Sequence, residues 1–103
     1  MKRGEVWWHE PPDEKARPVL VLTRDDVIDR ALDVVAMPAS RTAHDWLTEV
    51  EVGPEDGMPT VSFLIAENTL SAEKIYLTQR ITELDGSKMG AVCHALAIAT
   101  SCR

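Results

Sequence analysis

Apolar residues in this chain come in short runs separated by turn formers, which is the spacing of strands and not of successive long helices. Glu5 to His9 is the first such run. Pro18 to Thr23 is apolar at successive positions, so both of its faces are dry and it belongs in the middle of a sheet. Asp33 to Met37 forms a third strand, and Leu47 to Val52 a fourth whose strict alternation leaves one wet face. Val61 to Ala66 is the fifth, and a short sixth runs from Lys74 to Thr78. Helical character is confined to a turn or so in RDDVIDRAL, after the second strand, and to a closing helix from about Leu84 to Ser101. In that helix Leu84, Met89, Val92, Cys93, Leu96 and Ala99 or Thr100 recur at helical spacing and supply one face to lay on the sheet. Gly53, Pro54, Gly57 and Pro59 mark an exposed turn. Five or six strands with one terminal helix argue against a doubly wound sheet. They predict a small, twisted antiparallel barrel of SH3-like type, mainly β or α+β.

A length of 103 residues fits one domain over 1–103 with a modest core, and no repeat or linker divides it. No window approaches the ~18 consecutive apolar residues of a membrane span, and MKRGEVWWHE lacks the apolar stretch of a signal peptide. The expectation is a soluble, cytoplasmic protein that does not meet the membrane. Cys93 and Cys102 stand too far apart along a helix to bond each other. His9, His44 and His94 are scattered, so neither a metal site nor a cofactor is expected.

Net charge is −6, from 17 acids against 11 bases, which opposes non-specific attraction to nucleic acid. The bases are unevenly placed, however. Lys2, Arg3, Lys15, Arg17, Arg24, Arg30 and Arg41 all fall in the first 41 residues, and folding can gather some of them into one patch. Arg17 opens the most apolar strand of the chain. On residues alone it is either a strand-end arginine in a surface ion pair with Glu14 or Asp13, or an anion site.

MKRGEVWW, RPVLVLTRD, DVVAMPAS, TEVEVG, FLIAENTL, ITELDGSKM and ALAIAT occur in an order that resembles the MazF/PemK family of toxin endoribonucleases, over nearly the whole chain. RGEVWW followed by RPVLVLTRD is the most specific part. The resemblance implies a homodimer that cuts single-stranded RNA without metal, leaves 2′,3′-cyclic phosphate and 5′-hydroxyl ends, and is neutralised by a cognate antitoxin. It also implies that Arg17 stands at the mouth of the RNA groove, where a fixed multidentate cation stabilises charge building on the phosphoryl oxygens.

Counting back from TEVEV places Ser40 on the hydroxyl that the family carries after its third strand, with Thr42 in reserve because Ala39 departs from the usual pattern. A serine there is otherwise a turn former. Glu67 and Asn68 fall where the family has an acid or amide pair, so Glu67 is the candidate general base. Arg41, Thr42, His44, Trp46 and Asn68 complete the expected RNA-binding set. His44 and Asp45 replace the family's basic residue and glycine, and Asp45 opposes phosphate. Trp7 and Trp8 point to opposite faces of one strand, so one packs inside or at an interface while the other is free to stack on a base. The acidic charge, Ala39 and Asp45 favour an alternative: a binding module of the same fold, either related in shape to CcdB and acting on a protein target or a non-catalytic member whose nuclease groove has decayed.

Overall fold

The computed structural model describes residues 1–102. The strands are β1 (Glu5–His9), β2 (Arg17–Val21), β3 (Asp33–Ser40), β4 (Glu49–Val52), β5 (Ser62–Ile65), β6 (Leu70–Glu73) and β7 (Leu77–Glu83); α1 (Asp25–Ile28) follows β2, and α2 (Gly86–Thr100) closes the chain. All pairings are antiparallel, in the order β4-β5-β3-β2-β1-β7, with β6 also on β3.

β2 is apolar at successive positions because it divides two cores. Leu20, with Val6, Met37, Val52, Leu64 and Val92, belongs to one cluster, which α2 caps. Val19 and Val21 point the other way, to Ile28, Val34, Ala36 and Ala72. Alternation along β4 works as expected: Val50 and Val52 are buried, while Leu47, in phase with Glu49 and Glu51, is 83% exposed.

β3 is the pivot of the sheet. Its first half pairs with β6 through Ala36↔Leu70, and its end pairs with β5 from Ala39↔Leu64 to Ser40↔Phe63. Pro38, which lacks a backbone N–H, falls between those two ladders, where that edge of β3 has no strand to receive one. The strand therefore runs past Met37, its expected end, and carries Ser40 as its last residue.

The expected strand from Lys74 to Thr78 is a correction. Lys74–Tyr76 is a 3₁₀ turn, fixed by Lys74 N–H on the Leu32 carbonyl and Lys74 Nζ on the Ile28 carbonyl, and the true strands lie on either side of it. Asp85 caps α2 by accepting the Lys88 N–H at 2.9 Å.

The strand ladder does not pair β7 back to β4. Side chains bridge that seam instead: Thr82 Oγ1 donates to the Asp56 carbonyl at 2.8 Å, and Lys88 Nζ to the Glu51 carbonyl at 2.6 Å. Gly57 sits at φ 89° in the turn between β4 and β5, where a Cβ would overlap Thr82 Oγ1. At the β7 side of that seam, β7 is tied to β1 by Glu5, whose carboxylate takes the Arg80 Nε–H at 2.9 Å and the Trp7 indole N–H at 3.1 Å.

Candidate functional site

Where β2 begins and β3 ends, the two strands leave a cleft of about 430 Å³ between them and the turn before β5. Three cations line it, Lys15, Arg17 and Arg41, together with the hydroxyl residues Ser40, Thr42, Thr60 and Ser62 and the ring of Trp8. No aspartate or glutamate is among its lining residues. In a chain of net charge −6 this is a local reversal of sign, and it makes an anion site of a concave surface.

Arg17 is exposed, and among the described residues its guanidinium has neither an ion pair nor a hydrogen bond, so the surface pairing with Glu14 or Asp13 is not formed. Of the other early bases, Lys15 and Arg41 share the cleft and three are engaged elsewhere. Arg3 reaches the Leu22 carbonyl and Cys93 Sγ, Arg24 pairs with Asp26, and Arg30 bonds the Asp26 carbonyl. Ser40 Oγ accepts the Thr42 N–H at 3.1 Å, so Ser40 is a turn former, and it lines the cleft as well.

A second cleft of about 630 Å³ lies across the Lys15–Arg17 ridge, and those two residues line both. It is bounded by His9, Glu14, Asn68, Ser71, Glu73 and Tyr76, with prolines from the β1–β2 loop. His9 stands opposite Arg17 in the β1–β2 ladder. Burial pushes its imidazole below the usual histidine range and Arg17 adds to this, against the upward pull of Glu14, so the ring is neutral at neutral pH.

The structure thus brings together Arg17, Ser40, Arg41 and Thr42 in one cleft and puts Asn68 in the other. Glu67, exposed on the 3₁₀ turn after β5, lines neither. His44 and Trp46 form a separate feature on the β3–β4 loop, their rings stacked with centroids 4.5 Å apart. Glu49 organises them by accepting both the His44 backbone N–H, at 2.9 Å, and the His44 Nδ1 contact, at 2.8 Å. Burial pushes the Glu49 carboxyl up, but the His44 and Trp46 hydrogen bonds outweigh it and hold the group below its ordinary range.

Of the two adjacent tryptophans, Trp7 packs against the second core and Trp8 faces the cleft. Thr60 and Ser62 are not marked by the sequence, and Lys15 is marked only as one of seven early bases. Nothing local marks them, because the β2–β3 and β3–β5 pairings are what bring their loops together. Among the described residues no three His, Cys, Asp or Glu side chains gather as a metal site requires, and no helix is long and apolar enough to cross a membrane.

Residues 2–100 match the family described as PemK-like, MazF-like toxin of type II toxin–antitoxin system. A probable endoribonuclease, MazF5 of Mycobacterium tuberculosis, is 35% identical over 97% of this chain and 93% of its own length. A second from the same organism, MazF2, is 34% identical over 99% and 100%. Among solved structures, the M. tuberculosis toxin MazF-mt6 superposes with a TM-score of 0.88 at 28% identity, covering 96% of this chain and 98% of that one. A mycobacterial endoribonuclease in complex with its cognate antitoxin gives 0.89 at 26%, covering 100% and 97%.

Proposed function

The chain belongs to the PemK-like, MazF-like toxins of type II toxin–antitoxin systems, and we propose that it cuts single-stranded RNA, mRNA foremost, in the cleft that Arg17 opens. It is an RNA-cleaving toxin. The observation that carries it is the lining of that cleft: Lys15, Arg17 and Arg41 with four hydroxyl residues and no carboxylate, in a chain whose net charge is −6.

The chemistry that suits this lining is internal transfer. The ribose 2′-oxygen gives its proton to water and bonds to the adjoining phosphorus, the bond to the 5′-oxygen breaks and that oxygen takes a proton from water, and the ends are a 2′,3′-cyclic phosphate and a 5′-hydroxyl. Negative charge grows on the phosphoryl oxygens as this happens. An unpaired guanidinium meets that charge with several donors, which favours the transition state over the ground state. Ser40 gives a lone pair to the Thr42 N–H and keeps its own proton for a phosphate oxygen. Trp8 offers a face on which a neighbouring base stacks. Glu67, away from both clefts, takes no part in this scheme as general base.

The active species in this reading is a symmetric homodimer in the cytoplasm, held in check by a cognate antitoxin. Exposed Leu32, Leu47, Ile75 and Ile98 supply apolar surface for partners, and an interface of about 1,200 to 2,000 Å² is the ordinary size. The reading is tested by incubating purified protein with mixed-sequence RNA in EDTA and analysing the ends. Cyclic phosphate and 5′-hydroxyl ends are expected. Cleavage only with added metal, or 5′-phosphate ends, overturns the scheme.

A further inference from the structure

We infer that the second cleft, across the Lys15–Arg17 ridge, is a base-reading subsite for a nucleotide flanking the scissile phosphate, and that it takes an amino-bearing base in preference to uracil. The inference rests on the endoribonuclease reading above.

Three observations carry it. Lys15 and Arg17 line both clefts, so a phosphate held on the ridge leaves its two neighbouring nucleosides over opposite sides. The two sides differ in charge. The first has no carboxylate, whereas Glu14 and Glu73 line the second and repel phosphate while accepting hydrogen bonds. An uncharged base with an exocyclic amino group fits such a wall with two N–H donors, as adenine, cytosine and guanine do, whereas uracil presents two carbonyls and a single ring N–H.

The second cleft also has what holds a base flat. Tyr76, half-buried in the 3₁₀ turn after β6, lines it, and its carbonyl accepts the Glu10 N–H at 2.8 Å, which anchors the turn to the β1–β2 loop. An anchored aromatic ring is a stacking surface for any base, and Asn68, with one donor and one acceptor, reads an edge. Neutral His9 adds a second uncharged partner at the floor. A volume of about 630 Å³ admits a nucleoside.

The test is cleavage of a randomised RNA library with sequencing of the new ends, for the wild-type chain and for Glu73→Gln, Tyr76→Ala and Tyr76→Phe. In the wild type, uracil should be depleted at one flanking position. Glu73→Gln should relax that position alone, and Tyr76→Ala should raise KM roughly tenfold while Tyr76→Phe keeps stacking and KM. Unchanged preferences in both Glu73→Gln and Tyr76→Ala, or a uniform loss at every flanking position, overturn the subsite. Uncleavable 2′-O-methyl oligonucleotides that differ only at that position separate this from the parent reading. Wild-type protein that binds adenine over uracil without cutting RNA keeps the subsite and sinks the nuclease, and equal affinities sink the subsite.

Discussion

Ser40 Oγ accepts the Thr42 backbone N–H at 3.1 Å, and both side chains line the cleft that Arg17 enters. The turn uses the Thr42 main chain, not its hydroxyl, so the two residues are separable by mutation. Ser40→Ala removes the proposed phosphate donor and a turn bond; Thr42→Ala leaves the turn intact. Ser40→Ala should lower kcat roughly 10- to 100-fold with little change in KM, and cost about 1 kcal/mol of stability. Single-turnover kinetics and thermal melts check this. The opposite ranking would put the chemistry on Thr42.

Arg17→Ala should lower kcat by roughly 10²- to 10³-fold, the scale of one lost transition-state donor. Its melting temperature should stay at the wild-type value, because Arg17 has no partner among the described residues and the strand behind it is held by fully buried Val19, Leu20 and Val21. Arg17→Lys should restore little, since a point charge lacks the guanidinium's fork. Recovery of full rate by lysine would reduce the role of Arg17 to simple attraction.

Much of the fold was legible in the sequence because burial imposes period. β2 and β4 are set by which faces are dry, whereas the closing helix begins at Gly86 and not at Leu84, because Asp85 caps it. β7 escaped notice because LTQRITE is mostly polar, and its place is secured by pairing with β1 and by Arg80 reaching Glu5. The end of β3 was misplaced because Pro38 looks like a stop, and only the change of partner from β6 to β5 makes it harmless. The same holds at the site. Arg17 and Ser40 stand out within their own segments, whereas their neighbours in the cleft, the cation of Lys15 and the hydroxyls of Thr60 and Ser62, come from segments joined only in three dimensions.

The Glu5 carboxylate makes stability depend on pH. Burial pushes Glu5 up, but hydrogen bonds from Arg80, Trp7 and the Lys2 N–H prevail and leave it below the ordinary 4.5. A carboxyl depressed on folding contributes stability above its unfolded pKa and loses it as pH falls through the folded value. Glu5→Gln should therefore be less stable than wild type at pH 7, by about 1 kcal/mol given that Arg80 is half exposed. The gap should narrow as pH falls below about 4.5 and close once pH lies below the lowered folded value. Parallel denaturation curves with a constant offset across that range would contradict the assignment.

RNA affinity should fall with salt with a log–log slope near −2, from about 0.7 per phosphate for single strands and the three cations Lys15, Arg17 and Arg41. An antitoxin tail that also uses the half-exposed Trp46 ring should show a shallower slope. Trp46→Ala should weaken the antitoxin several-fold more than RNA. Titrations of both partners across a salt series decide it, and equal slopes would remove the apolar anchor.

On the proposed reading, the reversal of sign between the cleft and the rest of the surface should also govern how RNA arrives. At low ionic strength, where fields reach about 30 Å, an approaching strand meets the repulsion of a chain with net charge −6 well before it meets three cations set in a recess. Most orientations are turned away, and a strand that lands off-site has nothing to hold it. Raising the salt shortens the outer barrier and loosens the inner grip together, so association and dissociation rates both climb. Cleaved ends then leave quickly, and the toxin spends its time sampling new strands instead of sitting on old ones.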